Sequence, residues 1–284
     1  MTLTFFLTII RIFSNSFLNV EQKRLSQRVS SLETNFKTYF ILCMFLLPVL
    51  LLFYLKSLSA QVLLLALIGG IFGAAGNACL IKALKLGELS IFGVLFLREI
   101  PGINTLSGMA LIILGSYFVF ETSNEGFGGK FFRRKDIQLR MLALILTALE
   151  AVFIKKIIIL TDAVFSFILW ALSGCFFAFV FLKLNKPKTP KAPSDKICNK
   201  TPNKYKILPL RCFLSPAFLV LIMQMSTNLI FEKIPVSAAL SLFQLSNILN
   251  VFLGCKLFNE KHLLKKLAGS AIMITGSAII ILNG

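Results

Sequence analysis

"LSIFGVLFLRE", Leu89 to Glu99, decides how the rest of the chain is read. It is apolar enough to enter a bilayer, yet Glu88 bounds it on one side and Arg98 on the other. At about 1.5 Å per residue, so short a helix covers roughly half of a ~30 Å hydrocarbon core. Either the segment does not cross, or it is the remnant of a longer one.

The surrounding sequence favours the remnant. Of 284 residues, 57% are hydrophobic, beyond the 45–50% typical of soluble domains. Apolar runs of span length recur at Leu3–Val20, Phe36–Leu55, Val62–Ala83, Leu106–Phe120, Leu139–Ile154, Ala163–Leu182, Phe213–Ile230, Val236–Phe258 and Leu267–Leu282. With the opening stretch in fourth place these predict a ten-helix, all-α multi-pass membrane protein. The N-terminal run carries Arg11, has no basic segment ahead of it and no small-residue cleavage pattern, so it reads as a first span rather than a secretory signal.

The net charge of +18 raises the question of a nucleic-acid partner, which the placement of the charges answers. If ten spans are assumed, 24 of the 30 Lys and Arg fall in the odd-numbered loops. That asymmetry is the positive-inside signature and predicts cytoplasmic odd loops, not a nucleic-acid surface. It holds only if the fourth segment crosses, because otherwise every later loop changes sides. Anionic lipid headgroups are the secondary attraction of the same charges.

An internal repeat accounts for the shortness of the fourth segment. "REIPGINTLSGMALIILGSYFVF" (98–120) aligns with "NEKHLLKKLAGSAIMITGSAIII" (259–281) at an offset of 161, matching Glu99 with Glu260, Gly108 with Gly269 and Gly115 with Gly276. Near the N-terminus, "NVEQKRL" from Asn19 aligns more weakly with "AVFIKKI" from Ala151, setting Lys23 on Lys155. Two five-span halves follow, and an odd number of spans inverts the second relative to the first, as in many secondary transporters. Ser90 aligns with Ser237 at an offset of 147, so the first half is 14 residues short between that point and Glu99. The unmatched counterpart, "SLFQLSNILNVFLG" (241–254), places Gln244, Asn247 and Asn250 within about 120° of each other on one helix. The domain reading is a first repeat at 1–121 with its fourth helix truncated near 89–97, a basic linker at 122–138, and a second repeat at 139–284. The second repeat contains a Pro- and Lys-rich loop at 185–208 expected to be disordered.

"NVEQKRL", "GNACLIKALKLGELSIFG" and "FNEKHLLKKLAGSAIMITGSAIIIL" together resemble the EamA-like branch of the drug/metabolite transporter superfamily, over nearly the whole chain. The resemblance implies two five-span repeats and export of small metabolites, amino acids among them, in a bacterial inner (cytoplasmic) membrane. It implies no catalytic residue set. In that family the fourth span runs on ahead of the position of Leu97, and here that part is missing. The shortened helix therefore also admits a second reading, a non-transporting accessory subunit.

Candidate pathway residues follow from polarity within the spans. Arg11 lies midway along the first span, where an ionised group costs at least ~2.5 kcal/mol on insertion scales. Its planar donor fork suits a substrate carboxylate, but a structural pair with Glu150 is equally open. Glu150 could carry a proton, making a proton a candidate coupling ion, or neutralise Arg11 or Lys155. Asn15 and Asn19 share a face, with Gln22 near the helix end, and Asn77 aligns with Gln224 in the other half. These, with Gln244, Asn247 and Asn250, make up the expected pathway. Gly69, Gly73, Gly108, Gly115, Gly269 and Gly276 read as helix-packing positions, and Trp170 as a lipid or core contact. The cysteines are scattered and the single histidine, His262, is isolated, so no metal or cofactor is expected. With no paired aspartates and no nucleophile beside a base, an enzyme is not expected. The expected partners are a small-molecule solute and the bilayer, with a homodimer as a candidate assembly.

Overall fold

The computed structural model describes residues 2–54, 58–86, 107, 111, 114–115, 135–185, 208–243, 245–258 and 263–283. The shortened segment at 89–97, Gly108, Gln244, most of the 122–138 linker and nearly all of the 185–208 loop lie outside them.

The elements among the described residues are helical. In chain order they are α1 (Thr2–Ser26), α2 (Ser31–Val49), α3 (Ala60–Leu86), α4 (Lys135–Leu160), α5 (Ala163–Leu184), α6 (Leu214–Lys233), α7 (Val236–Phe243), α8 (Ser246–Phe258) and α9 (Leu263–Asn283). Helix is the form dictated by apolar sequence in lipid, because it satisfies every backbone polar group within the segment. Thr2–Ser26, Ser31–Leu52, Ala60–Lys85, Ala163–Leu184 and Leu210–Lys233 are long and apolar enough to cross a membrane, and a multi-pass membrane protein is the result. α4 has comparable length but carries Arg140, Glu150, Lys155 and Lys156.

Local chemistry sets the helix ends. Ser30 accepts the Glu33 amide at 3.1 Å, with Glu33 in the first turn of α2, and Asp162 accepts the Phe165 amide at 2.8 Å to start α5. Pro48, inside α2, has no N–H to give, and beyond it the ladder widens into a π turn at Leu50–Tyr54.

Three expectations are corrected. The helices run past the apolar runs, α1 to Ser26 and α4 back to Lys135, because basic side chains at span ends can carry their charge to the interface on apolar stems. Lys155 and Lys156, which an apolar run ending at Ile154 sets in the following loop, therefore sit on α4 instead. The run Val236–Phe258 is two helices instead of one. At the break the Leu245 and Ile248 amides donate to the carbonyls of Leu242 and Leu245 at 3.2 and 3.3 Å, three residues back instead of four. Ser246 Oγ donates to Phe243 O at 2.7 Å, a local alternative to the helical ladder.

Side-chain burial is arranged for lipid. Phe5, Leu52, Ile159, Phe218 and Leu264 face outward, while Asn19, Gln22, Asn35, Glu150, Asn228 and Asn250 are buried. Without water to drive association, the helices join through close packing and hydrogen bonds. α3 lies along α4, α1 along α6, and α2 against α5. At the first of these, a Cβ on Gly69 would stand 3.1 Å from Phe153 Cβ, and one on Gly76 3.0 Å from the Thr147 methyl. As α3 numbers rise α4 numbers fall, so the two helices are antiparallel.

Candidate functional site

The polar residues of α1 face α8 in a constant register. Asn15 Nδ2 donates to Ser246 Oγ at 3.2 Å, Ser16 Oγ to Ser246 O at 3.3 Å, and Asn19 Nδ2 to Asn250 Oδ1 at 3.4 Å. Both helices advance in the same direction along this seam. Further along, Val20 packs with Leu253, and Lys23 lies over the Phe258 ring at 4.4 Å. Asn247 is buried beside this seam. The seam joins the Asn15–Asn19 face to the 241–254 segment, a tertiary meeting that no spacing within either stretch announces.

Arg11 sits at the other end of the seam, beside the helix break. Its guanidinium carbon is 3.7 Å from the centroid of the Phe243 ring, and Phe243 is the last residue of α7. A cation there meets the π face of the ring. Among the described residues, its buried Nε has no hydrogen-bond partner.

Glu150 takes a different place from either one expected. Among the described residues, Trp170 Nε1 donates to its Oε1, and the carboxylate lies where a Cβ on Gly73 would be. Trp170 is thus a core residue with a polar role, with the Tyr39 ring tilted against it at 5.1 Å between centroids and Phe167 stacked on it at 6.0 Å. Tyr39 in turn fills the space that Gly174 leaves, its ring 2.7 Å from the position of a Cβ. Lys155, the other candidate neutraliser, donates from Nζ to the Phe231 carbonyl in the last turn of α6. The Glu150 carboxylate is bonded to an indole, and Arg11 is stacked on a phenyl ring.

The remaining expected residues fall into separate pairs. Asn77 Nδ2 donates to Asn35 Oδ1 at 2.7 Å, and Asn35 Nδ2 to Ala74 O at 3.0 Å, tying α3 to α2. Gln224 Nε2 donates to Asn228 Oδ1 at 3.1 Å, and Asn228 Nδ2 to Ala163 O at 3.2 Å, tying α6 to α5. Asn77 thus bonds directly across α3 and α2, while Gln224 bonds within α6 to the Asn228 that reaches α5. A Cβ on Gly115 would lie 2.5 Å from the Gly269 carbonyl oxygen, and Gly276 is buried on the same helix, α9. Sequence reasoning missed Ser16, Ser246, Asn35, Asn228, Trp170 and Phe243. For Asn35 and Asn228 the signal was present, as amides inside apolar helices that need a partner. In comparisons with known proteins, no family model matches the chain and no curated protein matches it.

Proposed function

We propose that this chain is a secondary transporter of the EamA-like, drug/metabolite transporter type. In this reading two inverted five-helix repeats move small metabolites, amino acids among them, outward by alternating access. The repeat correspondence pairs α1 with α4, α2 with α5 and α3 with α6. Exchanging the halves then turns the α3–α4 packing into α6–α1, α3–α5 into α6–α2 and α2–α3 into α5–α6, all of which are present. The α2–α5 contact maps onto itself. The helix starts agree as well: the caps Ser30 and Asp162 are 132 residues apart, the same offset that sets Lys23 on Lys155.

The observation that carries the functional reading is the α1–α8 seam. Two neighbouring helices are joined by exchangeable amide and hydroxyl contacts, one is interrupted beside the seam, and a guanidinium at the interruption keeps a buried donor without a partner among the described residues. Interrupted helices at membrane depth are tolerated where they line a passage, and their ends commonly meet the solute. Arg11 would take the carboxylate of the solute through Nε and its planar fork. Asn15 and Asn19, released from Ser246 and Asn250, would replace water around its polar groups.

Flux of a labelled panel of small carboxylates and amino acids into proteoliposomes tests this. Arg11→Ala removes a charge-assisted contact worth about 1.5–3 kcal/mol, so uptake at low solute should fall by about 10-fold or more. Asn250→Leu should lower it too. Unchanged flux in Arg11→Ala removes Arg11 from the site. Absence of flux with every solute would favour the accessory-subunit reading.

A further inference from the structure

The polar face of α1 extends well beyond the seam. At 100° per residue, Thr8, Arg11, Asn15, Asn19, Gln22 and Ser26 fall within about 80° of one another. From Thr8 to Ser26 the stripe runs about 27 Å, close to a full hydrocarbon thickness. α1 carries a polar side chain at almost every turn of this face.

Most of these groups have partners. Thr8 Oγ1 donates to Thr4 O at 2.8 Å and Ser26 Oγ to Lys23 O at 2.9 Å, so both hydroxyls are satisfied by their own helix. Asn15 and Asn19 bond to α8. The exceptions are Nε of Arg11 and the whole amide of Gln22, whose Oε1 and Nε2 are both buried without a partner among the described residues, in a residue that is 1% exposed. The register of the seam sets Leu253 and Gly254 opposite Gln22, both buried and neither with a polar side-chain atom. An amide sealed in this way gains nothing from the protein around it, and burial without a partner is costly.

We propose that Gln22 is a second solute station on the same track, about 16 Å along α1 from Arg11. It takes a neutral group that presents a hydrogen-bond donor and an acceptor side by side, such as a carboxamide. The chemistry selects this class. Oε1 must accept and Nε2 must donate, which a carboxamide answers with a paired N–H and C=O. A carboxylate would leave Oε1 facing another acceptor, and a cation, which has donors only, would leave Nε2 without an acceptor. Arg11 and Gln22 thus divide the track into an anionic and a neutral stop. The inference rests on the transporter reading, since it assigns the stripe to a passing solute.

Thermal unfolding of the full-length protein in detergent separates the two claims, with acetamide and propionate at tens of millimolar as probes. Acetamide should raise the melting temperature of the wild type but not of Gln22→Leu. Propionate should raise that of the wild type and of Gln22→Leu, but not of Arg11→Ala. Without any probe, Gln22→Leu should melt at or above the wild type, by about 2–4 °C, because an amide without a partner is removed. Gln22→Met provides the same reading if the leucine variant does not fold. Propionate acting through Arg11 while acetamide acts equally on wild type and Gln22→Leu would overturn the second station and leave the first. A lower melting temperature in both Gln22 variants would mean that an internal water ties the amide, and would overturn it as well. No effect of propionate on the wild type would remove the Arg11 dock, and the Gln22 station with it.

Discussion

At the scale of single residues, the buried carboxylate of Glu150 shows how polarity is managed in this bundle. Its Oε1 accepts from the Trp170 indole, and Gly73 leaves it room. Removing the donor leaves a buried acceptor exposed to nothing, so Trp170→Phe should cost about 1–3 kcal/mol in reversible unfolding. In a Glu150→Leu background the same change should cost much less, since no acceptor remains to be orphaned. Equal costs in both backgrounds would mean that the bond contributes nothing. The sequence identified Glu150 as unusual because an ionisable residue in an apolar run stands out by itself. It did not identify Trp170, since a tryptophan in lipid-facing sequence is uninformative until the fold brings a carboxylate to its N–H. Arg11 was legible as a cation in a span, but its seat on Phe243 depends on a helix more than two hundred residues away.

At the scale of elements, span existence was legible and span integrity was not. The apolar runs locate α1, α2, α3, α5 and α6 because length and hydropathy are local properties. The break between α7 and α8 is different. Ser246 and its neighbours sit in a run apolar enough to be continuous, and the interruption arises where Ser246 Oγ reaches the Phe243 carbonyl while accepting from Asn15. Ser246→Ala removes both bonds at once. Interhelical hydrogen bonds in membranes average about 0.6 kcal/mol, so its thermal unfolding should drop by a small but measurable amount. No change would mean that the hydroxyl does not join α1 to α8.

At the scale of the whole molecule, the sequence offers matches between stretches far apart in the chain. The offsets of 132, 147 and 161 appear only when distant stretches are compared, and under the proposed repeat they set α1, α2 and α3 on α4, α5 and α6. The sequence was silent on which helices of the two halves touch, because packing partners are chosen by surfaces rather than by order along the chain. The proposed passage depends on inversion: α3 and α4 run in opposite directions, as the contacts of Gly69 and Gly76 require, so α1 and α4 should point to opposite faces of the membrane. The most direct test places single reporter tags in the turns that follow these two helices, at Gln27 and at Thr161, and measures their accessibility in intact cells. Inverted halves predict that Thr161 is reached from outside and Gln27 only after the cells are opened. Tags that report from the same side would contradict the inverted repeat and the passage built on it.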